Sequence, residues 1–267
     1  MSEPRKPGLL VPVLIVLIVG TVVADLSRRA FSGPPSPAAP APTPGKPNQP
    51  AESDRRPDPG LTSAGQAGRS DSVDRDAAAR REWVRQRIRD SAARTYLPET
   101  LDLTDSMLRR WPDDRVSRPL RVAIMRQEVR GFREDFVANV AWAVYRWNGV
   151  VPVGVMTTGD SAAADVVVTW VAGLDSNRTG RTDLTWDRRG NIHRAMVVLA
   201  THTPEGQLLD ERRMSALALH EIGHAIGLGH SGSRDDAMYP IATSTDPSER
   251  DRRTARLLYD LPTGSIR

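Results

Sequence analysis

Eleven residues, His220-Glu221-Ile222-Gly223-His224-Ala225-Ile226-Gly227-Leu228-Gly229-His230, constrain this chain more than any other stretch. The run before them, Asp210 to Leu219, reads as helix: Met214, Leu217 and Ala218 fall at apolar helical spacing and continue into Ile222 and Ala225. His220 and His224 are four residues apart, so both imidazoles leave one helical face and can share a metal ion. His230 cannot lie on that helix and still join them, because at ~1.5 Å rise per residue it would sit roughly 9 Å further along the axis. The chain has to turn back, and Gly227 stands where a positive φ permits the turn. The spacing therefore predicts a helix, a glycine break and a returning third ligand.

Three neutral imidazoles with one open position describe a catalytic zinc site rather than a closed structural one. Glu221 follows His220 and points about 100° round the helix, so it need not be a ligand. From there its carboxylate can take a proton from a water that zinc acidifies to a pKa of about 7. The bland explanation is an amphipathic helix with chance histidines. It is weak, because the chain has five histidines and three of them fall in this pattern. With average residue usage, such a coincidence arises in on the order of one chain in 10⁵.

The pattern resembles the metzincin metalloproteases, whose signature H-E-x-x-H-x-x-G-x-x-H is followed by a methionine turn. Asp236-Ala237-Met238-Tyr239-Pro240 is similar to that turn. Ser231 directly after the third histidine and Tyr239 directly after Met238 resemble the matrixin branch. In astacin-like and serralysin-like relatives the tyrosine comes two residues after the methionine and can ligate zinc, so Tyr239 is not read as a ligand. The resemblance implies an α+β fold with a twisted mixed sheet of about five strands, a long active-site helix and a C-terminal helix. It implies zinc on His220, His224 and His230, Glu221 as general base, and Met238 as an apolar floor. It also implies that an antiparallel edge strand, read as the fourth strand at Met196, Val197, Val198, Leu199 and Ala200, pairs with substrate held as an extended strand. Tyr239, Pro240 and Ile241 would wall a hydrophobic pocket.

Composition excludes as much as it suggests. With no cysteine there are no disulfides, no thiolate ligands and no cysteine-switch latency of the animal matrixin kind. The net charge of +4 rests almost wholly on arginine; Lys6 and Lys46 are the sole lysines. Arginine-, alanine- and proline-rich usage points to a bacterial source. Acids are interleaved throughout, which favours an alternately charged soluble surface over a nucleic-acid binder, and the chain is expected to be a monomer.

Four segments follow along the chain. Residues 1–31 hold Arg5 and Lys6 before an uncharged run, Pro7 to Ala24, which reads as a signal peptide or membrane anchor placing the rest outside the cytoplasm. Residues 32–70 are a proline-rich linker. Residues 71–112 form a charged helical stem with a thin stripe, Val73, Ala77, Val84 and Ile88. Read as a pro-segment, that stem would bring Asp102 or Asp105 to the zinc. Residues 113–267 are the peptidase domain, with strands at Leu120–Met125, Val153–Met156, Asp165–Val171 and Ile192–Ala200. A helix spans Phe132–Trp147, and a last helix opens at Asp246-Pro247. The loop Gly173 to Asn191 reads as turn-rich, with Asp175, Asn177, Asp183 and Asp187 where animal matrixins hold structural ions. The D-x-[DN]-x-[DN]-G signature is absent, so calcium there is a minor expectation. His193 and His202 lie too far apart along one strand to share an ion. The competing functional reading is an envelope-tethered binding module that keeps zinc without turnover, and the intact Glu221 argues against it.

Overall fold

A five-stranded sheet and the two helices packed on it place the histidine segment. The computed structural model describes residues 64–157, 160–175 and 177–267. The expected N-terminal apolar segment and most of the proline-rich linker lie outside these residues. Among the described residues no helix is long and apolar enough to cross a membrane.

The chain enters through α1 (Ala64–Ser91) and α2 (Leu97–Leu103), then β1 (Met107–Leu108) and a single turn, α3 (Asp113–Val116). There follow β2 (Leu120–Ile124), α4 (Glu134–Asn148), β3 (Val153–Val155), β4 (Val166–Val171), β5 (Gly180–Trp186) and β6 (Ile192–Ala200). Helices α5 (Glu211–Ala225) and α6 (Glu249–Asp260) and the short β7 (Gly264–Ser265) complete it. The main sheet runs β3-β2-β4-β6-β5, parallel except for the antiparallel edge β5, and β1 pairs separately with β7. This is the mixed five-stranded sheet of an α+β fold.

Each element follows from local chemistry. Phe136, Val140, Ala143, Val144 and Trp147 form the apolar face of α4 and are all buried. Val166, Val167 and Val168 are buried on both faces of the sheet, while Thr169 and Val171 further along β4 are only partly covered. Asp210 caps α5 by accepting the Arg213 N–H at 2.8 Å. At the other end of α5 the helix leaves carbonyls without partners. The indole of Trp111 donates to Ala225 O at 2.8 Å and the phenol of Tyr259 to Ile226 O at 2.9 Å, so one buried ring and one half-buried ring close it.

Two sequence expectations need correction. The turn-rich loop contains a seven-residue strand, β5, and this strand is the antiparallel edge. The strand at Ile192–Ala200 is interior: parallel to β4 on one side and antiparallel to β5 on the other. Met196, Val197, Val198, Leu199 and Ala200 therefore spend their backbone groups within the sheet and have none to offer a substrate strand. The last helix opens at Ser248 rather than Asp246-Pro247. Ser248 and Asp251 form a capping box, each side chain taking the other's backbone N–H.

The stem packs more firmly than its narrow stripe suggests. Val84 and Ile88 are buried as expected, and α1 starts at Ala64 rather than Asp71. Tyr96, Leu97, Leu101 and Leu108 join them in the same core as the sheet and helices.

Candidate metal centre

His220 and His224 leave the buried face of α5 one turn apart. The helix stops at Ile226, and Gly227 adopts φ +99° as the turn requires. Leu228 N–H then donates back to Gly223 O at 3.0 Å, and the chain returns His230 to the other two rings. The Nε2 atoms of His220 and His224 lie 3.1 Å apart, and those of His224 and His230 lie 3.2 Å apart. A tetrahedral ion with nitrogen ligands at ~2.0–2.1 Å sets neighbouring ligands roughly 3.3 Å apart, so the spacing fits zinc.

The protons on the rings support the same fit. His220 Nδ1 sits 2.8 Å from Ala237 O, and His224 Nδ1 sits 2.8 Å from Leu228 O. A carbonyl can only accept, so each Nδ1 carries the proton and each Nε2 presents a lone pair inward. Two lone pairs facing each other at this distance repel unless a cation lies between them. Burial, first, and the neighbouring rings push all three imidazoles down to about 4, so they are neutral at physiological pH. Among the described residues this trio is the cluster of His, Cys, Asp or Glu able to hold a metal. Two aspartates of the former loop do other work: Asp183 pairs with Arg181, and Asp187 accepts from Arg189 N, Asn191 N and Asn191 Nδ2.

Glu221 is buried beside the trio, turned toward β5. Thr182 Oγ1 donates to its Oε2 at 2.6 Å and also reaches Glu221 O at 3.1 Å. A Cβ at Gly180 would overlap the carboxylate and Leu217, so only glycine lets the strand come this close. Burial pushes the Glu221 carboxyl up to about 7, against the Thr182 bond and the Arg178 guanidinium, which pull it down. Thr182 and Gly180 were not found by sequence reasoning. Gly-Arg-Thr-Asp is too polar and lacks the alternation that marks a strand, so no signal pointed to them.

Met238 is fully buried beneath the ligands and packs against Gly223. The backbone beside it is what orients His220, through Ala237 O. Ala237 N–H is in turn held by buried Asp251 Oδ2 at 2.7 Å. Tyr239 is half-buried with Arg234 over its ring, and Pro240 and Ile241 are exposed on the same loop. His193 lies near Asp187, and His202 bonds Thr201 and Ala172 O; neither joins the trio. Asp105, considered as a carboxylate stopper, is exposed and reaches Arg267 instead.

An α+β domain whose helix, glycine turn and methionine loop bring three imidazoles together defines a metallopeptidase-like class. The family model described as Matrixin matches residues 111–260, and the chain belongs to that family. The chain is also 30% identical over 115 residues to metalloendoproteinase 4-MMP of Arabidopsis thaliana, a stretch covering 36% of this chain and 30% of that protein. The chain thus spans about a third of the length of that curated relative.

Proposed function

We propose that this protein is a zinc-dependent endopeptidase. The observation that carries the reading is the convergence of three inward-facing Nε2 atoms beside a buried carboxylate that the edge strand holds by Thr182. His220, His224 and His230 would hold the ion. Zinc bound there supplies Lewis acidity, polarising a peptide carbonyl and acidifying a water. Glu221, raised toward neutrality by its burial, takes the water's proton on a carboxylate oxygen and passes it to the leaving amine. Among the described residues β5 has no strand on its outer side. Its free N–H and C=O groups give an extended peptide a backbone to pair with, beside Glu221. Ile241, 64% exposed, offers apolar surface for a substrate side chain across the site. The basic apolar N-terminal run, Arg5 to Ala24, supports a domain exported from the cytoplasm.

The test is digestion of a mixed-sequence peptide library by the zinc-loaded protein. Internal cleavage abolished by chelation and restored by zinc is expected. Zinc bound at the trio with no cleavage of any peptide would replace the enzyme reading with that of a binding module.

A further inference from the structure

The three ligands are not held alike. His220 and His224 each donate a ring N–H to a backbone carbonyl, whereas His230 has no ring hydrogen bond outside the trio among the described residues. Its position depends on the loop that carries it, and that loop is gripped from a segment upstream of the matched family region. Gly232 N–H donates to Glu99 Oε2 at 2.7 Å. Gly229 packs so closely on Thr100 that a Cβ would overlap its side chain, at 2.6 Å from Cγ2. Glu99 also pairs with Arg250, whose other nitrogen donates to Ser231 Oγ and to buried Asp236 at 2.8 and 2.9 Å. Behind this, the Tyr96 phenol donates to Asp251 and Tyr96 N–H to Thr254 Oγ1. Contacts thus fall on Gly229, Ser231 and Gly232, on both sides of His230.

We propose that the stem is a permanent part of the metal centre, with Glu99 as a positioning residue that fixes the third-ligand loop. The stem is consequently not a pro-segment to be shed: it grips the back of the site rather than covering the cleft, and its removal should loosen zinc. Ordering the loop beforehand spares the ion that cost on binding, which is why groups outside the ligand set change metal affinity by roughly 10–100-fold.

This rests on the trio being the zinc site, and the two readings fail separately. In the full chain, zinc affinity is measured by competition with a chromophoric chelator for wild type, Glu99→Ala, Glu99→Gln and, as a surface control, Glu128→Ala. Wild type that binds no zinc sinks the metal reading itself. Given wild-type binding, Glu99→Ala is expected to weaken zinc about tenfold or more, with circular dichroism unchanged. Glu99→Gln retains an acceptor for Gly232 N–H and should recover most of that loss. Equal affinity for wild type and Glu99→Ala would overturn the proposal, as would a Gln variant no better than Ala. A second measurement introduces a specific protease site at the turn of Asp105 and Ser106, where Asp105 is exposed and both residues are at positive φ. After cleavage, zinc should be lost to the chelator faster. Tighter zinc or a rise in peptidase activity would overturn the proposal by marking the stem as inhibitory.

Discussion

The metal centre has a front and a back built on different principles. On the front, β5 meets Glu221 through one hydroxyl and one glycine, and among the described residues no strand pairs with its outer edge. On the back, Asp236 and Asp251, each at most 3% exposed, collect Ser231, Ser248, Arg250, Tyr96 and Ala237 N–H into a closed network. The difference separates two tasks. The buried Glu221 carboxylate takes one side-chain hydrogen bond, from Thr182 to Oε2, which leaves Oε1 to accept a proton. Ligand geometry needs a rigid frame, so every buried polar atom there has a partner. Front variants should therefore change turnover with zinc retained, and back variants should change zinc and stability together.

The largest effect should come at the front. Glu221→Gln is expected to lower kcat/KM by roughly 10²–10⁴-fold, the usual worth of a general base, with zinc content unchanged by elemental analysis. Loss of zinc in that variant would dissolve the division. At the back, Asp251→Asn should weaken zinc by roughly 10–100-fold through Ala237 and His220. It should also cost about 1–3 kcal/mol in urea unfolding, as a buried network loses a partner. Weakened zinc with full stability would show that frame and fold are separable.

Thr182→Val at the front should reduce kcat about tenfold with little change in KM, and Thr182→Ser should restore it, read by steady-state kinetics. The smallest effect concerns pH. The ligand form of each ring is neutral, and burial lowers its proton affinity from an ordinary value near 6.5 to about 4. Protons should therefore compete with zinc only as pH falls toward 4, and affinity should change less than tenfold between pH 7 and pH 5. A decline that begins near 6.5 would mean that the frame does not keep the rings neutral.

The histidine segment was legible because helix period, glycine turn and ligand spacing all act within eleven residues. The apolar face of α4 was legible for the same local reason. The edge strand was not: Gly180, Arg181, Thr182 and Asp183 face solvent or a carboxylate, so hydrophobic alternation is absent, and β6 inherited its role. Reading β6 as the edge put the expected substrate strand at residues 196–200, whose backbone groups are taken up inside the sheet. The grip of Glu99 and Tyr96 was illegible on other grounds. Their partners Gly232 and Asp251 lie 133 and 155 residues away, and neither residue carries a motif. Pro247 misled because it suits the first turn of a helix, while the Ser248–Asp251 capping box decided the start.

The pairing of β1 with β7, together with the Arg85 Nε–H donated to Ile266 O at 2.7 Å, ties the C-terminal residues to the stem at two points. The last residues of the chain thus close on the stem instead of trailing from α6. A rearranged polypeptide that joins Arg267 to Ala64 by a linker spanning roughly 30 Å, the run of α1 ahead of Arg85, and opens instead at the exposed turn Pro204-Glu205-Gly206, would keep every ligand and every member of the network. The order in which the chain is synthesised is thus separable from the frame it builds.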